Sequence, residues 1–372
     1  MTKEIGRSLC VCSLLLLTTP LCAFPLVNSV RFIIISHIHS AYCSLVFISF
    51  DFVQQFCAEL IILTSYVMLS IIYDCYETLK LYMSPVYKDI SDDVILITGA
   101  GNGIGREMCL EFAKYSSNIL ALDIDEKGLQ ETAVYVKSGR GVQIKPYLCD
   151  LSSPADIDRI VNEILQDYGR VTILVNNAAI INLLPLLHLS VDKFDKCFKV
   201  NFYAYFYLIK GFLPGMLGTS VSSNCSNHTN NSPARGHIVF VSSGGGVLPV
   251  PRYTDYCATK AAGLLLSESL ELELKEMGVA DQIHITRVIP HIVRTKLAGL
   301  ITGSKSPLLP LLEPDECARQ IVDGVLQNKS VVYIPRIVRL MAILKILSPN
   351  YAMSATRKYF RQKILFSTKE TK

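Results

Sequence analysis

Tyr256 and Lys260 form the pair in this chain best suited to proton transfer. Set four residues apart, they share one face if the segment is helical. A tyrosine starts with a pKa near 10, so work as a base at neutral pH needs a downward shift of roughly 3 units, or about 4 kcal/mol. A neighbouring ammonium favours the phenolate and supplies part of that shift. The pattern Tyr-x-x-x-Lys occurs three times, as Tyr76/Lys80, Tyr256/Lys260 and Tyr359/Lys363. Only the middle pair has a hydroxyl thirteen residues upstream, Ser243; the equivalent positions of the others, Leu63 and Ile346, cannot donate a hydrogen bond. Those two pairs read as ordinary surface pairs.

A proton-transfer group needs a partner that changes the oxidation or charge state of its substrate, and the chain carries a place for one. The run Thr98-Gly99-Ala100-Gly101-Asn102-Gly103-Ile104-Gly105 follows the apolar Val94-Ile95-Leu96-Ile97 and precedes a helix-like Arg106-Glu107-Met108-Cys109-Leu110-Glu111-Phe112-Ala113. A buried strand, a glycine turn and a helix start in that order make a dinucleotide cradle. Glycine lets the backbone turn tightly against a pyrophosphate, and the helix N-terminus offers unpaired N–H groups to the anion. The spacing is G-x-x-x-G-x-G, which marks a particular branch of the fold. Downstream, Asn118-Ile119-Leu120-Ala121-Leu122-Asp123 is a strand ending in an acid. An acid about 20 residues beyond the glycines can accept from the adenosine ribose hydroxyls and repels a 2′-phosphate. The glycine loop holds no basic residue, and Arg106 comes only after its last glycine. NAD is therefore favoured over NADP, and the positive ring of an oxidised nicotinamide would further favour a Tyr256 phenolate.

Strand-like runs continue at 142–148, 171–175, 237–241, 283–289 and 331–334, separated by helix-like segments such as 154–168 and 257–277. Seven strands with helical crossovers predict an α/β fold: a Rossmann-type doubly wound parallel sheet with helices on both faces and ligands at the carboxyl ends of its strands. Asp150 ends one strand and Asn176-Asn177-Ala178-Ala179 ends the next, so both should border the cofactor crevice.

Taken together, the glycine turn, Asp150, Asn176-Asn177-Ala178-Ala179, Asn201, Ser243 and Tyr256-Cys257-Ala258-Thr259-Lys260 resemble the short-chain dehydrogenase/reductase family over about 92–335. The resemblance implies hydride transfer between nicotinamide and carbon. It makes Tyr256 the proton-transfer residue and lets Ser243 hold the reacting oxygen. Lys260 would lower the tyrosine pKa and grip the ribose, while Asn201 anchors a water for a proton relay. The cofactor-binding set it implies is Thr98, Gly99, Gly103, Ile104, Gly105, Asp123, Asp150, Asn177, Ala178, Pro290 and Thr295, with Tyr256 and Lys260. A narrower resemblance is to the membrane-anchored retinol dehydrogenase and 17β-hydroxysteroid dehydrogenase 11/13-like subgroup. It rests on an apolar N-terminal anchor, Asp255-Tyr256-Cys257-Ala258-Thr259-Lys260-Ala261-Ala262, Leu308-Leu309-Pro310-Leu311-Leu312-Glu313-Pro314, and Val331-Val332-Tyr333-Ile334-Pro335 with a basic apolar tail.

Two positions depart from the family pattern. Its usual Pro-Gly is Pro290-His291 here, next to where nicotinamide should lie, which puts the shape of that loop and of the substrate mouth in question. The fourth position of Asn-Asn-Ala-Gly is Ala179, which suits most backbone conformations except φ > 0.

Of the 372 residues 50% are hydrophobic and 18% charged, a bias concentrated at the N-terminus. Between Val11 and Tyr73 the charged residues are Arg31, Asp51 and Glu59, and a spanning helix needs about 20 apolar residues, so the stretch has room for two or three. Three readings stand side by side: a multi-pass anchor, a signal peptide plus anchor, or a single anchor preceded by an extended start. The chain is expected to divide into a hydrophobic leader and anchor at 1–83, a catalytic domain at 92–335 and a basic amphipathic tail at 336–372. That tail suits an anionic membrane surface, or a helix that closes the substrate pocket or packs on a partner subunit. The loop at 293–314 is mostly apolar and is expected to cover the substrate.

A net charge of +4 with no nucleic-acid module argues against a nucleic-acid partner. The twelve cysteines show no C-x-x-C pair and the seven histidines no zinc-site spacing, so the thiols read as reduced and structural. A polar insertion at 218–235 carries sequons at Asn224, Asn227 and Asn230, which matter only if the domain faces a lumen. The aromatic series Phe198, Phe202, Tyr203, Tyr205, Phe206 and Tyr207 around Asn201 reads as core or subunit packing, and the resemblance implies a homodimer. The expectation is an oxidoreductase interconverting a lipophilic alcohol and its carbonyl on the endoplasmic reticulum membrane or lipid droplets. The rival is a catalytically inactive nucleotide-binding scaffold on lipid droplets.

Overall fold

The computed structural model describes residues 54–73, 85–219, 233–299, 301–347 and 364–366, with isolated positions besides. By its internal packing the chain falls into two units, Met1–Pro85 and Val86–Lys372. In the first, helix α1 (Gln54–Tyr73) has 20 residues and is long and apolar enough to cross a membrane. The earlier hydrophobic stretches and the three sequons lie outside the described residues.

The second unit begins its sheet at β1 (Ile95–Thr98), turns into α2 (Gly103–Phe112), and returns as β2 (Ile119–Asp123). Then follow α3 (Glu126–Arg140), β3 (Lys145–Leu148), α4 (Pro154–Tyr168) and β4 (Ile173–Asn176). Helices α5 (Val191–Phe198) and α6 (Ala204–Met216) lead to β5 (Gly236–Val241), the short α7 (Gly244–Val247), α8 (Thr254–Glu276) and β6 (Ile283–Pro290). The order is completed by β7 (Ile301–Ser304), α9 (Pro314–Leu326), β8 (Val331–Ile334), α10 (Ile337–Leu347) and β9 (Ile364–Phe366).

Seven strands pair in the order β3-β2-β1-β4-β5-β6-β8, all parallel. The central strands β1, β4 and β5 are buried at every residue, as unbroken apolar runs in a sheet covered on both faces require. Their side chains divide with a period of two. Ile95, Ile97, Val175 and Val239 enter the core layer under α2, α3 and α9, whereas Leu96, Leu174, Ile238 and Phe240 enter the layer under α4, α6 and α8. Strand β3 lies at the edge, exposes Lys145 and contains Pro146, a residue that sheets admit at their borders. It is shorter than the 142–148 expected, because Gly141 at φ 72° ends α3 and the next residues carry the chain to the sheet.

Helix α4 begins and ends where its sequence signals place it. The Ser153 side chain accepts from the Asp156 N–H, Pro154 occupies the first turn, and Gly169 at φ 74° stops the helix. Phe112, fully buried at the end of α2, packs in the layer shared with α9. Phe112→Ala is expected to cost about 3–5 kcal/mol and lower the melting midpoint of the detergent-solubilised chain by about 5–10 °C. A shift below one degree would place Phe112 outside a packed core.

Two features differ from the sequence reading. The loop over 293–314 contains β7, which pairs antiparallel with β9 from the chain's tail. Helix α10 buries Val338 and Met341 against Leu248, Leu264, Ile289 and Leu309, and Lys345 Nζ donates to Val247 O at 2.6 Å. Its Leu340, Ile343 and Leu344 stay exposed, so the helix is amphipathic in a second sense, with one apolar face packed and another open.

Candidate active site

The parallel order reverses between β1 and β4, which opens a crevice at their carboxyl ends. Thr98 closes the floor of that crevice. Its hydroxyl donates to Val175 O at 3.1 Å and accepts from the N–H groups of Asn177 and Ala178 at 2.9 and 3.0 Å. Asn177 Nδ2 donates in turn to Thr98 O at 2.8 Å. The glycine turn then rises at Gly99 (φ 68°) and Gly103 (φ 55°), a left-handed region where side chains are strained. A Cβ on Gly99 would lie 2.9 Å from Ala178 Cα, and one on Gly103 would lie 2.9 Å from Thr295 Cγ2. Gly99, Gly103, Asn177, Ala178 and Thr295 are thus brought together around one turn.

Helix α2 starts on this turn with Asn102 as a cap that makes no side-chain hydrogen bond, and with no acid in its first turn. Its leading N–H groups therefore remain suited to an anion. Ile104 packs on the first core layer and Gly105 is buried. Asp123, at the end of β2, accepts the Gly101 N–H at 2.8 Å on one oxygen and the Asp125 N–H at 2.9 Å on the other. Arg106 is engaged elsewhere. It donates to Gly101 O at 2.6 Å, Thr132 Oγ1 at 3.0 Å and Glu131 at 3.0 Å. Asp150 receives the N–H and hydroxyl of Ser152 at 2.8 and 2.7 Å. Pro290 ends β6, opposite Ile334. The bare glycine cradle, the open helix start and the acid at the end of β2 suit a dinucleotide.

The chemistry end lies beyond β5. Ser243 caps α7, accepting the Gly245 N–H at 3.1 Å. Both Ser243 Oγ and Tyr256 Cε1 approach the Gly245 α-carbon side, at 3.5 and 3.6 Å from a Cβ built there. Tyr256 and Lys260 are both buried on α8. Lys260 Nζ donates to Val241 O at 2.8 Å and to Tyr205 OH at 3.0 Å, with the rings of Tyr205 and Tyr256 centred 5.4 and 5.7 Å away. Burial pushes the Tyr256 phenol up to about 12 against the lowering pull of Ser243, and pushes Lys260 down to about 7. Desolvation alone therefore drives both groups toward their neutral forms.

Asn201 lies in a π-turn over Lys199–Tyr203, between α5 and α6. Such turns arise when one extra residue widens a helix, and they recur at functional sites. The side chain is wholly buried. Its Oδ1 accepts from Ile180 N–H at 2.8 Å, and Nδ2 donates to Ile180 O at 2.9 Å and Thr259 Oγ1 at 3.2 Å. Asn201 thus ties the segment after β4 to α8, one position before Lys260. Two participants escaped the sequence reading. Tyr205 was counted among packing aromatics, although it stands one helical turn from Asn201, and Asn182 donates to the buried Asp255 at 2.5 Å.

His291 N–H donates to Ile334 O at 2.7 Å, while its buried Nδ1 has no partner among the described residues. Burial holds the ring neutral, with a pKa down to about 4. Ala179 is not among the positive-φ residues, so alanine fits there without strain. Among the described residues the cysteines are free and no His, Cys, Asp or Glu group could hold a metal ion. Of the two spare Tyr-x-x-x-Lys pairs, Lys80, Tyr359 and Lys363 lie outside the described residues.

A doubly wound sheet with this glycine cradle and a Ser-Tyr-Lys cluster defines a nicotinamide-dependent oxidoreductase. The chain belongs to the short chain dehydrogenase family, whose pattern matches residues 93–304, and it acts on CH–OH groups with a nicotinamide cofactor. It is 33% identical over 266 residues to epidermal retinol dehydrogenase 2 of Homo sapiens, covering 70% of this chain and 80% of that one. It is 33% identical over 286 residues to human 17-beta-hydroxysteroid dehydrogenase 13, covering 77% and 89%. A short-chain dehydrogenase from Sphingobium yanoikuyae in complex with NADPH superposes with a TM-score of 0.56 at 25% identity, covering 73% of this chain and 95% of that one.

Proposed function

We propose that this chain oxidises a lipophilic alcohol, retinoid, steroid or fatty, to its carbonyl at a membrane surface, with NAD as the hydride acceptor. The observation that carries the reading is the convergence of Ser243, Tyr256 and Lys260 behind β5, beside the glycine cradle. When bound, the nicotinamide supplies the two-electron acceptor. The chain supplies the rest. Ser243 Oγ, fixed by the Gly245 N–H, holds the substrate oxygen. Tyr256 takes the hydroxyl proton, and Lys260, through its charge, stabilises the phenolate that must exist beforehand. Asn201 holds the segment after β4 against α8 and keeps this geometry in place. Asp150, Asn177, Ala178, Pro290 and Thr295 are assigned to the cofactor walls.

The substrate class rests on the relatives' names, retinol dehydrogenase and hydroxysteroid dehydrogenase. Membrane attachment is supported by α1 and by the exposed Leu340, Ile343 and Leu344 of α10. We assign the endoplasmic reticulum or lipid-droplet surface and a homodimer by the family resemblance, with 1–83 as anchor, 92–335 as the catalytic part and 336–372 as the tail. The test is a membrane-fraction assay following cofactor absorbance, with NAD, NADH, NADP and NADPH against retinol/retinal, steroid and fatty-alcohol pairs. Turnover with NAD and one class is the expected result. Cofactor binding with silence across every pair would favour the inactive scaffold.

NAD preference is assigned to Asp123, whose carboxylate faces the glycine turn, and to Arg106, whose donors are held by Gly101, Thr132 and Glu131. Asp123→Ser is expected to lower kcat/KM for NAD about tenfold, the scale of one hydrogen bond to a charged group, with a smaller gain for NADP. An unchanged NAD to NADP ratio would remove Asp123 from the nucleotide site.

A further inference from the structure

We infer that Tyr205 is a positioning residue for the reaction: its hydroxyl clamps the Lys260 ammonium and thereby sets the pH at which Tyr256 becomes a base. The inference rests on the reading above that Tyr256 is the proton-transfer residue.

Lys260 is buried, and its hydrogen-bond acceptors are one backbone carbonyl, Val241 O at 2.8 Å, and one side chain, Tyr205 OH at 3.0 Å. An ammonium out of water needs such acceptors to stay charged. Tyr205 is well placed for that task. Its ring is locked edge-on against Phe240 with centroids 6.2 Å apart, it is itself almost fully buried, and its hydroxyl proton points to Ala178 O at 3.3 Å. The hydroxyl oxygen is thereby left to accept from Lys260. Ala178 O has no proton to pass on, so the arrangement holds a charge in place and does not conduct protons onward.

Asn201 does not perform this task with its side chain, whose acceptor oxygen Oδ1 is taken by the Ile180 N–H at 2.8 Å. The other titratable groups around the pair are Cys197 from α5, Tyr253 just before α8, Cys257 on α8, and His291 from the loop after β6. Burial holds the first three protonated and His291 neutral, so none of them changes charge near neutral pH. Burial likewise keeps the Tyr205 phenol above its usual range and protonated. The nearby carboxylate, Asp255, is bound by Asn182. Lys260 is thus the group whose charge answers to a change at Tyr205.

The sign follows directly. Removing the Tyr205 hydroxyl takes away one of two acceptors, so the ammonium is disfavoured, the Tyr256 phenolate loses its support, and Tyr256 titrates at higher pH. Tyr205→Phe keeps the ring on Phe240 and tests the hydroxyl alone. The expected result is an upward shift of about one pH unit in the acid limb of kcat/KM for alcohol oxidation, or about tenfold lower kcat/KM below the limb. A loss from loosened packing would lower the whole profile without moving it. A second readout needs no turnover: the protons released when NAD binds, from calorimetry in two buffers of different ionisation heat. The pH of half-maximal release is expected to rise by the same unit in Tyr205→Phe and to return part-way in Tyr205→Gln, which restores an acceptor. A limb and a release curve that both stay put in Tyr205→Phe would overturn the clamp while leaving Tyr256 as the base. Persistence of the limb and the release in Tyr256→Phe would overturn the assignment of Tyr256, and the clamp with it.

Discussion

Tyr256→Phe is expected to lower kcat/KM for alcohol oxidation by about 10³-fold while leaving NADH affinity within about twofold. A positioned acid–base group contributes on the order of 10²–10⁴ in rate, and the phenol oxygen is the part of this side chain that can take a proton. The ring fills the wall between Ser243 and Lys260, and phenylalanine keeps that volume, so the change isolates the hydroxyl. Burial, even against the lowering pull of Ser243, sets the phenol near 12, above its ordinary 10, and so leaves less phenolate near neutral pH than a free tyrosine would have. The positive charges gathered in the loaded site must therefore overcome several units, and the rate must climb with pH until the phenolate is populated. Loss of that rising limb in Tyr256→Phe, measured by cofactor absorbance between pH 6 and pH 10 in a range of roughly four units, is the expected signature. Near-normal turnover would return the assignment to another group.

Gly105→Ala carries the second large effect, and its sign opposes ordinary helix rules. Inside an exposed helix, alanine stabilises over glycine by about 1 kcal/mol. Gly105 lies in the first turn of α2 and is buried, and a Cβ there would overlap the Gly99 carbonyl oxygen and lie 2.9 Å from Asn177 Nδ2. The backbone of the glycine turn would have to move away from β4, and with it the amide groups assigned to the pyrophosphate. The expected outcome is a loss of NADH affinity of about 100-fold, read by fluorescence titration, together with a lower melting midpoint. A variant that melts higher than the parent and binds NADH normally would show that helix and turn are not in close packing at this point.

The parts of the molecule that were legible in the sequence are those whose physics is local. The apolar run Val94–Ile97 before Gly99 announces a central strand, because a sheet covered on both faces leaves no polar alternation to confuse the reading. Ser153, Pro154 and Gly169 mark the ends of α4 through hydrogen bonds and backbone angles that span a few residues. Tyr256, Lys260 and Ser243 stand out because one helix and one preceding strand end place them together. What stayed hidden depends on distant partners. Tyr205 looks like packing until Lys260, 55 residues away, arrives against its hydroxyl. The π-turn at Asn201 carries no sequence signature, since the segment has ordinary helical apolar spacing and the extra residue shows only in its hydrogen bonds. The pairing of β7 with β9 escaped notice for the same reason, because short edge partners far apart in the chain leave no periodic trace.

The engagement of Arg106 bears on how such a chain changes over generations. Its guanidinium already fastens the glycine turn to α3 through Gly101, Thr132 and Glu131. On the proposed assignment, a descendant that loses the acid at position 123 surrenders most of one nucleotide and gains little of the other, because the Arg106 guanidinium is not at liberty to greet an added phosphate. Drift from one cofactor to its phosphorylated twin must pass through a second substitution that releases Arg106 or installs a new base. Lineages carrying this fastening should therefore hold their redox allegiance longer than lineages whose corresponding arginine is idle, with no selection on the nucleotide itself being required.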